Sequence, residues 1–290
     1  MLQILLIIII LYIIYKIRYI ENFDLNNKLS FNKLPNNIWM YWENKNNGVN
    51  KPSYLDLCNK TVFKHCSKDF NIYVLNEKNV YQYIPNLRKD LNKKLNIPQK
   101  TDYIRYWLLY LYGGIWLDYD IIVFKSLMPL LKNLKNYDYI GAGCHSYTCK
   151  KTGYPEPANW FMASRKGSTF IKRCINDCDK YLNSSKLKFN YFKFGRETMW
   201  KNIKIEKKKN NWDYFHLKSN CLERDSKFKK IRNNRLLSNE DIDINCLDKS
   251  IFVPIYNTSP GFPDWFKNMN ENEILEKNML ISKFFRKSLM

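Results

Sequence analysis

Acidic residues are scarce in this 290-residue chain: 27 Asp and Glu stand against 48 Lys and Arg, a formal net charge of +21. Such a surplus invites contact with polyanions. Nucleic acid is nevertheless not the expected partner. The lysines are dispersed among Asn, Ile, Tyr and Phe, and no recognition helix, RNA-binding signature or aromatic-basic platform gathers them. Anionic nucleotide sugars or lipid headgroups suit a dispersed positive charge better. No internal repeat runs through the chain, which removes stacked-repeat architectures. The eight cysteines follow no spacing that imposes a disulfide framework. Cys174 and Cys178, at i and i+4 of an amphipathic segment, are expected as buried thiols. Cys144, His145 and Cys149 lack a fourth ligand at a zinc spacing, so their loop, Gly143 to Pro157, reads as a cover over a site.

Long apolar runs are confined to the start. Met1 to Tyr15 is almost uninterruptedly apolar, and Lys16 and Arg18 follow. A basic segment before the run and small residues at a cleavage site are both missing, so residues 1–20 are expected to be an uncleaved single-pass membrane anchor rather than a signal peptide. The side of the membrane carrying the rest of the chain is left undecided. Residues 21–33, polar and rich in Asn and Lys, read as a short stem. Residues 34–290 are long enough for one sizeable α/β domain.

That domain is organised around Lys100 to Phe124. Ile104, Trp107, Leu108, Leu111 and Tyr112 recur at helical spacing, with Thr101 as the expected N-cap and Gly113-Gly114 as the turn that ends the helix. Ile115 to Phe124 then reads as one strand buried on both sides. Alternation along it would aim Asp118 and Asp120 at one face. Two adjacent carboxylates resist joint ionisation unless a cation lies between them. Oxygen ligands suit Mn²⁺ or Mg²⁺, which complete their shells with water and substrate phosphate oxygens. Around this centre, Pro35–Trp42 and Asn71–Leu75 read as strands and Tyr54–His65 as a helix, with further helical pattern over Val80–Asn96. Such βα alternation predicts a mostly parallel sheet whose ligands sit at the strands' carboxyl ends.

The set Asp102, Arg105, Tyr106, Leu109, Gly113, Gly114, Asp118 and Asp120 resembles the D-x-x-R … GG-[IV]-[YW]-x-D-x-D signature of the glycosyltransferases with a DXD sugar-binding region. These include initiating α-mannosyltransferases and capsular polysaccharide synthesis proteins, and the capsular group is the nearest in flavour. The resemblance implies a GT-A-type nucleotide-sugar-binding fold. It further implies transfer of a sugar from a nucleotide-diphosphate donor to a glycan or other hydroxyl acceptor, with metal dependence and a retaining outcome. By the same resemblance Asp102 and Arg105 bind the donor sugar, Asp118 contacts sugar and metal, and Asp120 is the firmer metal ligand. Gly113 and Gly114 belong to the donor-binding motif. Trp42, in a match to the family's opening strand, stacks on the base, and Asn159 lies on a strand facing sugar and acceptor. His216, in the acceptor-side half, is a further candidate for the metal or the leaving phosphate. Bland readings stand beside these: Trp42 as a core residue, Asp102 with Arg105 as a structural ion pair, His216 as a packing residue. A catalytically silent sugar- or nucleotide-binding protein and a basic nucleic-acid binder are the alternatives from other classes.

Overall fold

The computed structural model describes residues 34–44, 51–144, 156–184, 190–208, 214–217, 233–239, 243–255 and 261–290. Eight strands are present among them: β1 (Asn37–Tyr41), β2 (Asn71–Leu75), β3 (Gly114–Leu117), β4 (Ile121–Val123), β5 (Tyr139–Cys144), β6 (Glu156–Ser164), β7 (Tyr214–Leu217) and β8 (Phe252–Pro254). Five helices of ten or more residues accompany them: α1 (Ser53–Cys66), α2 (Ile97–Tyr112), α3 (Thr169–Leu182), α4 (Thr198–Lys208) and α5 (Leu280–Leu289).

Six strands form one sheet in the order β2-β1-β3-β6-β5-β7, and β4 pairs with β8 in a separate two-stranded sheet. Strand alternation divides the core in two. Ile38, Met40, Ile115 and Leu117 face α1, β4, β8 and α5, whereas Trp39, Tyr41 and Trp116 face α2, α3 and α4. The result is a sheet with helices on both faces, an α/β fold.

Two expectations about the fold are revised. First, the mostly parallel sheet contains one reversed strand and is therefore mixed: β1 is parallel to β2 and to β3, and β5 to β7, but β6 runs antiparallel to both β3 and β5. Helical crossovers, which parallel neighbours require, separate β1, β2 and β3. None lies between β5 and β6 among the described residues, and antiparallel neighbours need none. Second, no helix among the described residues is long and apolar enough to cross a membrane. The expected single-pass anchor, and the membrane localisation that followed from it, therefore have no support in the structure. Residues 1–20 and the stem 21–33 lie outside the described residues, as does the 145–155 part of the expected covering loop.

Locally the sequence accounts for most elements. β2 coincides with the run read from the sequence, and Ser168 caps α3 by accepting from the Ile171 N–H. Cys174 and Cys178 are buried free thiols. The chain's end packs on the domain: Leu280, Ile281, Phe284 and Phe285 are fully buried, and the His65 ring Nε2 meets the Ser288 carbonyl at 3.0 Å.

At the α2–β3 junction Gly113 and Gly114 have φ of 67° and 100°. A Cβ on Gly114 would stand 2.4 Å from the Asn37 carbonyl oxygen, and one on Gly113 2.6 Å from the Lys166 nitrogen. Only glycine fits both the conformation and the space. Gly114→Ala is accordingly expected to cost about 2–4 kcal/mol, read as a lower urea midpoint with an unchanged denaturant slope.

Candidate active site

The site forms where β1 and β3 end and β6 begins. α2 starts at Asn96, whose side chain accepts from the Gln99 N–H at 3.0 Å, with Pro98 in the first turn. It therefore begins several residues before the expected cap at Thr101. Of the expected stripe, Ile104 and Leu108 are fully buried, but the buried face is wider than that stripe. The helix is covered on two sides, by the sheet and by α3, so Tyr103, Tyr106 and Leu109 are buried as well, while Trp107, Leu111 and Tyr112 are only half-buried. The same cover takes in Asp102 and Arg105, at 6% and 3% exposure.

The expected strand Ile115–Phe124 is broken. β3 ends at Leu117 and β4 begins at Ile121 in the other sheet, so Asp118, Tyr119 and Asp120 form the bend between two sheets. Both acids therefore belong to one bend, and the expected alternation along a single strand does not apply to them. The bend is fixed by backbone bonds at both ends: Asp118 N–H donates to the Trp160 carbonyl at 2.8 Å, and Ile255 N–H to the Asp120 carbonyl at 3.0 Å.

Arg105 is the hub. Its Nη2 lies 3.1 Å from Asp102 Oδ1 and 3.3 Å from Asp118 Oδ1, and Nη1 donates to the Asn159 carbonyl. The guanidinium sits 4.8 Å from the centroid of the Trp116 ring. Trp116 Nε1 donates to Asp118 Oδ1 at 2.8 Å, and Asn159 Nδ2 to Asp102 Oδ1 at 2.6 Å. Arg105 Nε is buried with no partner among the described residues. A buried donor of this kind calls for a ligand or water oxygen.

Burial pushes the Asp102 carboxyl up to about 7, against the pull of Arg105 and with the repulsion of Asp118. Because the folded value lies above the ordinary 3.8, the folded chain holds this proton more tightly than the unfolded one between those two pH values. Its contribution to stability is fullest below pH 4, falls as pH rises through the window, and levels off above 7. Asp102→Asn removes that slope. Unfolding by urea between pH 4 and 7 should show the variant gaining on wild type by a few kcal/mol, at up to about 1.4 kcal/mol per pH unit.

The structure thus brings together Asp102, Arg105, Asp118 and Asn159, with Asp120 in the adjoining bend. Trp42 stands at the same edge: its ring centroid is 5.9 Å from that of Tyr119, and its indole N–H donates to Asn44. Gly113 and Gly114 are not part of this cluster. They lie at the opposite end of β3, about 13 Å away along the strand, and serve the turn described above. His216 is on β7 opposite Gly141, three strand spacings or about 14 Å from β3, and its side chain lies outside the described residues.

Sequence reasoning missed Gly195. The segment Lys193–Glu197 is a π-helical turn, a form frequent at functional sites. Tyr106 Oη holds it by donating to the Phe194 carbonyl at 2.8 Å. A Cβ on Gly195 would stand 2.4 Å from Asn159 Nδ2 and 2.8 Å from Asp102 Oδ2, so a glycine there lets the backbone close over the pair. No periodicity signals such a turn. Trp116, which reads as an ordinary strand residue, was missed in the same way.

The donor set for a metal is small. Among the described residues no group of three or more His, Cys, Asp or Glu side chains could hold an ion. Asp118 is about one-third exposed and commits Oδ1 to Arg105 and Trp116, while Oδ2 has no partner among the described residues. A partly exposed carboxylate of this kind, with a second acid in the same bend, fits a hard cation shared with a substrate's phosphates rather than one enclosed by protein.

Residues 14–244 match the capsular polysaccharide synthesis protein family, and the chain belongs to that family. It is 30% identical over 152 residues to "Glycosyltransferase afumC" of Aspergillus fumigatus (strain CBS 144.89 / FGSC A1163 / CEA10). That match covers 47% of this chain and 38% of the relative, well under half of the relative's length. Among solved structures, the chain is similar to the glycosyltransferase GlyE of Streptococcus pneumoniae TIGR4 (13% identity, TM-score 0.44, covering 89% of this chain and 61% of that one). It is also similar to the PaToxG glycosyltransferase (16%, 0.38, 93% of each) and to an active-site mutant of LgtC (17%, 0.38, 64% and 73%). At TM-scores below 0.5 these likenesses establish neither fold nor activity.

Proposed function

We propose that this protein is a glycosyltransferase that moves a sugar from a nucleotide-diphosphate donor to a hydroxyl acceptor, with Mn²⁺ or Mg²⁺. The observation that carries the proposal is the buried Arg105, which joins Asp102, Asn159 and Asp118 beside the Asp118–Asp120 bend. An arginine held by two carboxylates and a carbonyl, with Nε still unsatisfied, is a rigid hydroxyl-recognition group rather than a surface ion pair. Membership in the capsular polysaccharide synthesis family supports the same reading.

In this scheme Asp102, Arg105 and Asn159 orient the donor sugar, with Gly195 closing over them. Asp118 and Asp120 hold the cation, which when bound supplies electrostatic stabilisation of the departing diphosphate. Trp116 and Arg105 keep Asp118 in one orientation, so that its second oxygen stays turned to the ligand. Trp42 offers a flat apolar surface for the base. Retention of configuration at the transferred sugar, implied by the family resemblance, completes the proposal.

The test incubates the purified chain with UDP-, GDP-, CDP- and ADP-linked sugars, Mn²⁺ and a panel of glycan and simple hydroxyl acceptors, measures nucleoside diphosphate release, and assigns the anomer of the glycosylated acceptor by NMR. Release from at least one donor with the anomeric configuration kept is the expected result. No release from any of them defeats the transfer reading, and an inverted anomer defeats the retaining part.

A further inference from the structure

We propose that Glu43 is the residue that binds the ribose hydroxyls of the nucleotide, an inference that rests on the glycosyl-transfer reading. The argument begins with the sheet. β1, β3 and β6 are neighbours in that order, and at one edge they present Trp42 and Glu43, then Asp118 and Asp120, then Asn159. Neighbouring strands lie about 4.8 Å apart, so the three groups span about 10 Å. A nucleotide sugar has the same linear order: nucleoside, diphosphate, sugar. With the sugar over β6 and the diphosphate over β3, the nucleoside falls over the end of β1.

Glu43 shares a face with Tyr41, and so with Arg105 and the cluster around it. Its carboxylate is only 14% exposed. The Tyr41 hydroxyl and the Lys100 ammonium both donate to Oε2, and Lys100, itself 7% exposed, is held from its other side by Asn92 Oδ1 at 2.8 Å. Oε1 has no partner among the described residues. A carboxylate accepts at about four positions, and a largely buried one is costly unless they are used. A carboxylate paired with an ammonium offers only acceptors at its open oxygen. Phosphate, which carries no donor and bears the same sign, is excluded. A ribose diol supplies donors at the required place, as it does for acidic residues at strand ends in dinucleotide-binding folds.

The competing account is that Glu43 and Lys100 merely tie β1 to α2. Calorimetry on the full chain with Mn²⁺ separates the two, using UDP, GDP, CDP and ADP and the 2′-deoxy and 3′-deoxy forms of whichever binds. Wild type is expected to bind at least one deoxy form about 10-fold or more weakly than the ribonucleotide. In Glu43→Gln the ratio should fall to within about 3-fold of one. Because Glu43→Gln strands the Lys100 charge, the pair Glu43→Gln with Lys100→Gln is measured beside it. The ratio, rather than the absolute affinity, is the readout, since a loosened fold weakens both ligands together. A wild type indifferent to both deoxy forms, or a ratio that survives in both variants, overturns the ribose assignment while leaving the transferase reading intact. Failure to bind any of the four nucleotides defeats both.

Discussion

Asp120→Ala and Asp118→Ala are each expected to lower the turnover of a nucleotide-sugar donor by at least about 100-fold, the scale of removing one electrostatic contact to a developing charge. Melting temperatures should stay within a few degrees of wild type. The two acids sit in a bend tied at both ends by backbone hydrogen bonds, Asp118 N–H to Trp160 and Ile255 N–H to Asp120, and these survive the loss of either side chain. Asp118 is also partly exposed, and its loss still leaves Arg105 paired with Asp102 at 3.1 Å. The two variants should differ in their response to metal. Asp120→Ala should respond to raised Mn²⁺ if it loses cation affinity alone, whereas Asp118→Ala also loses the group that Trp116 and Arg105 aim. Steady-state kinetics across a Mn²⁺ titration checks both points, and turnover close to wild type in either variant removes that acid from the site.

Arg105→Met should be the most damaging single change to the fold at this site. It leaves Asp102 buried without its cation, and breaking a buried ion pair by removing one partner costs about 3–5 kcal/mol. Asp102 then loses the one charge that pulls its proton affinity down, while burial and Asp118 continue to push it up. The loss is therefore smallest in acid, where Asp102 is neutral in both proteins, and grows as pH rises. Urea unfolding at pH 5 and pH 8 measures it, and an equal loss at both values contradicts the charge-based account. The double variant Asp102→Asn with Arg105→Met should recover part of the stability at pH 8, because no buried charge is left unpaired, but none of the activity.

How much of this was legible beforehand depends on the range of the forces involved. β1, β2 and α1 follow from local periodicity and were readable. So was the Gly113-Gly114 turn, although its role is steric, at the far end of β3 from the acids. The Asp pair was visible, but its geometry was not: Asp118 to Asp120 looks like the middle of one ten-residue strand, and only the pairing of β4 with β8, some 130 residues away in sequence, bends it. The strand carrying Asn159 was read, but the antiparallel direction of β6 was illegible for a similar reason, since strand direction depends on how the intervening chain returns. Asp102 and Arg105 read as the polar side of a helix, because a helix's own pattern does not show that β6 and the turn at Gly195 will cover that side. Gly195 itself carries no signal until Asn159 and Asp102 are placed beside it.

The most direct test of the central claim is a metal dependence measured on the wild-type chain. Nucleoside diphosphate release from its best donor is followed with Mn²⁺, after chelation with EDTA, and after Mn²⁺ or Mg²⁺ is restored. Turnover that vanishes on chelation and returns with the ion is the predicted result; turnover that proceeds unchanged in EDTA contradicts a cation shared between the bend at Asp118–Asp120 and the donor's phosphates.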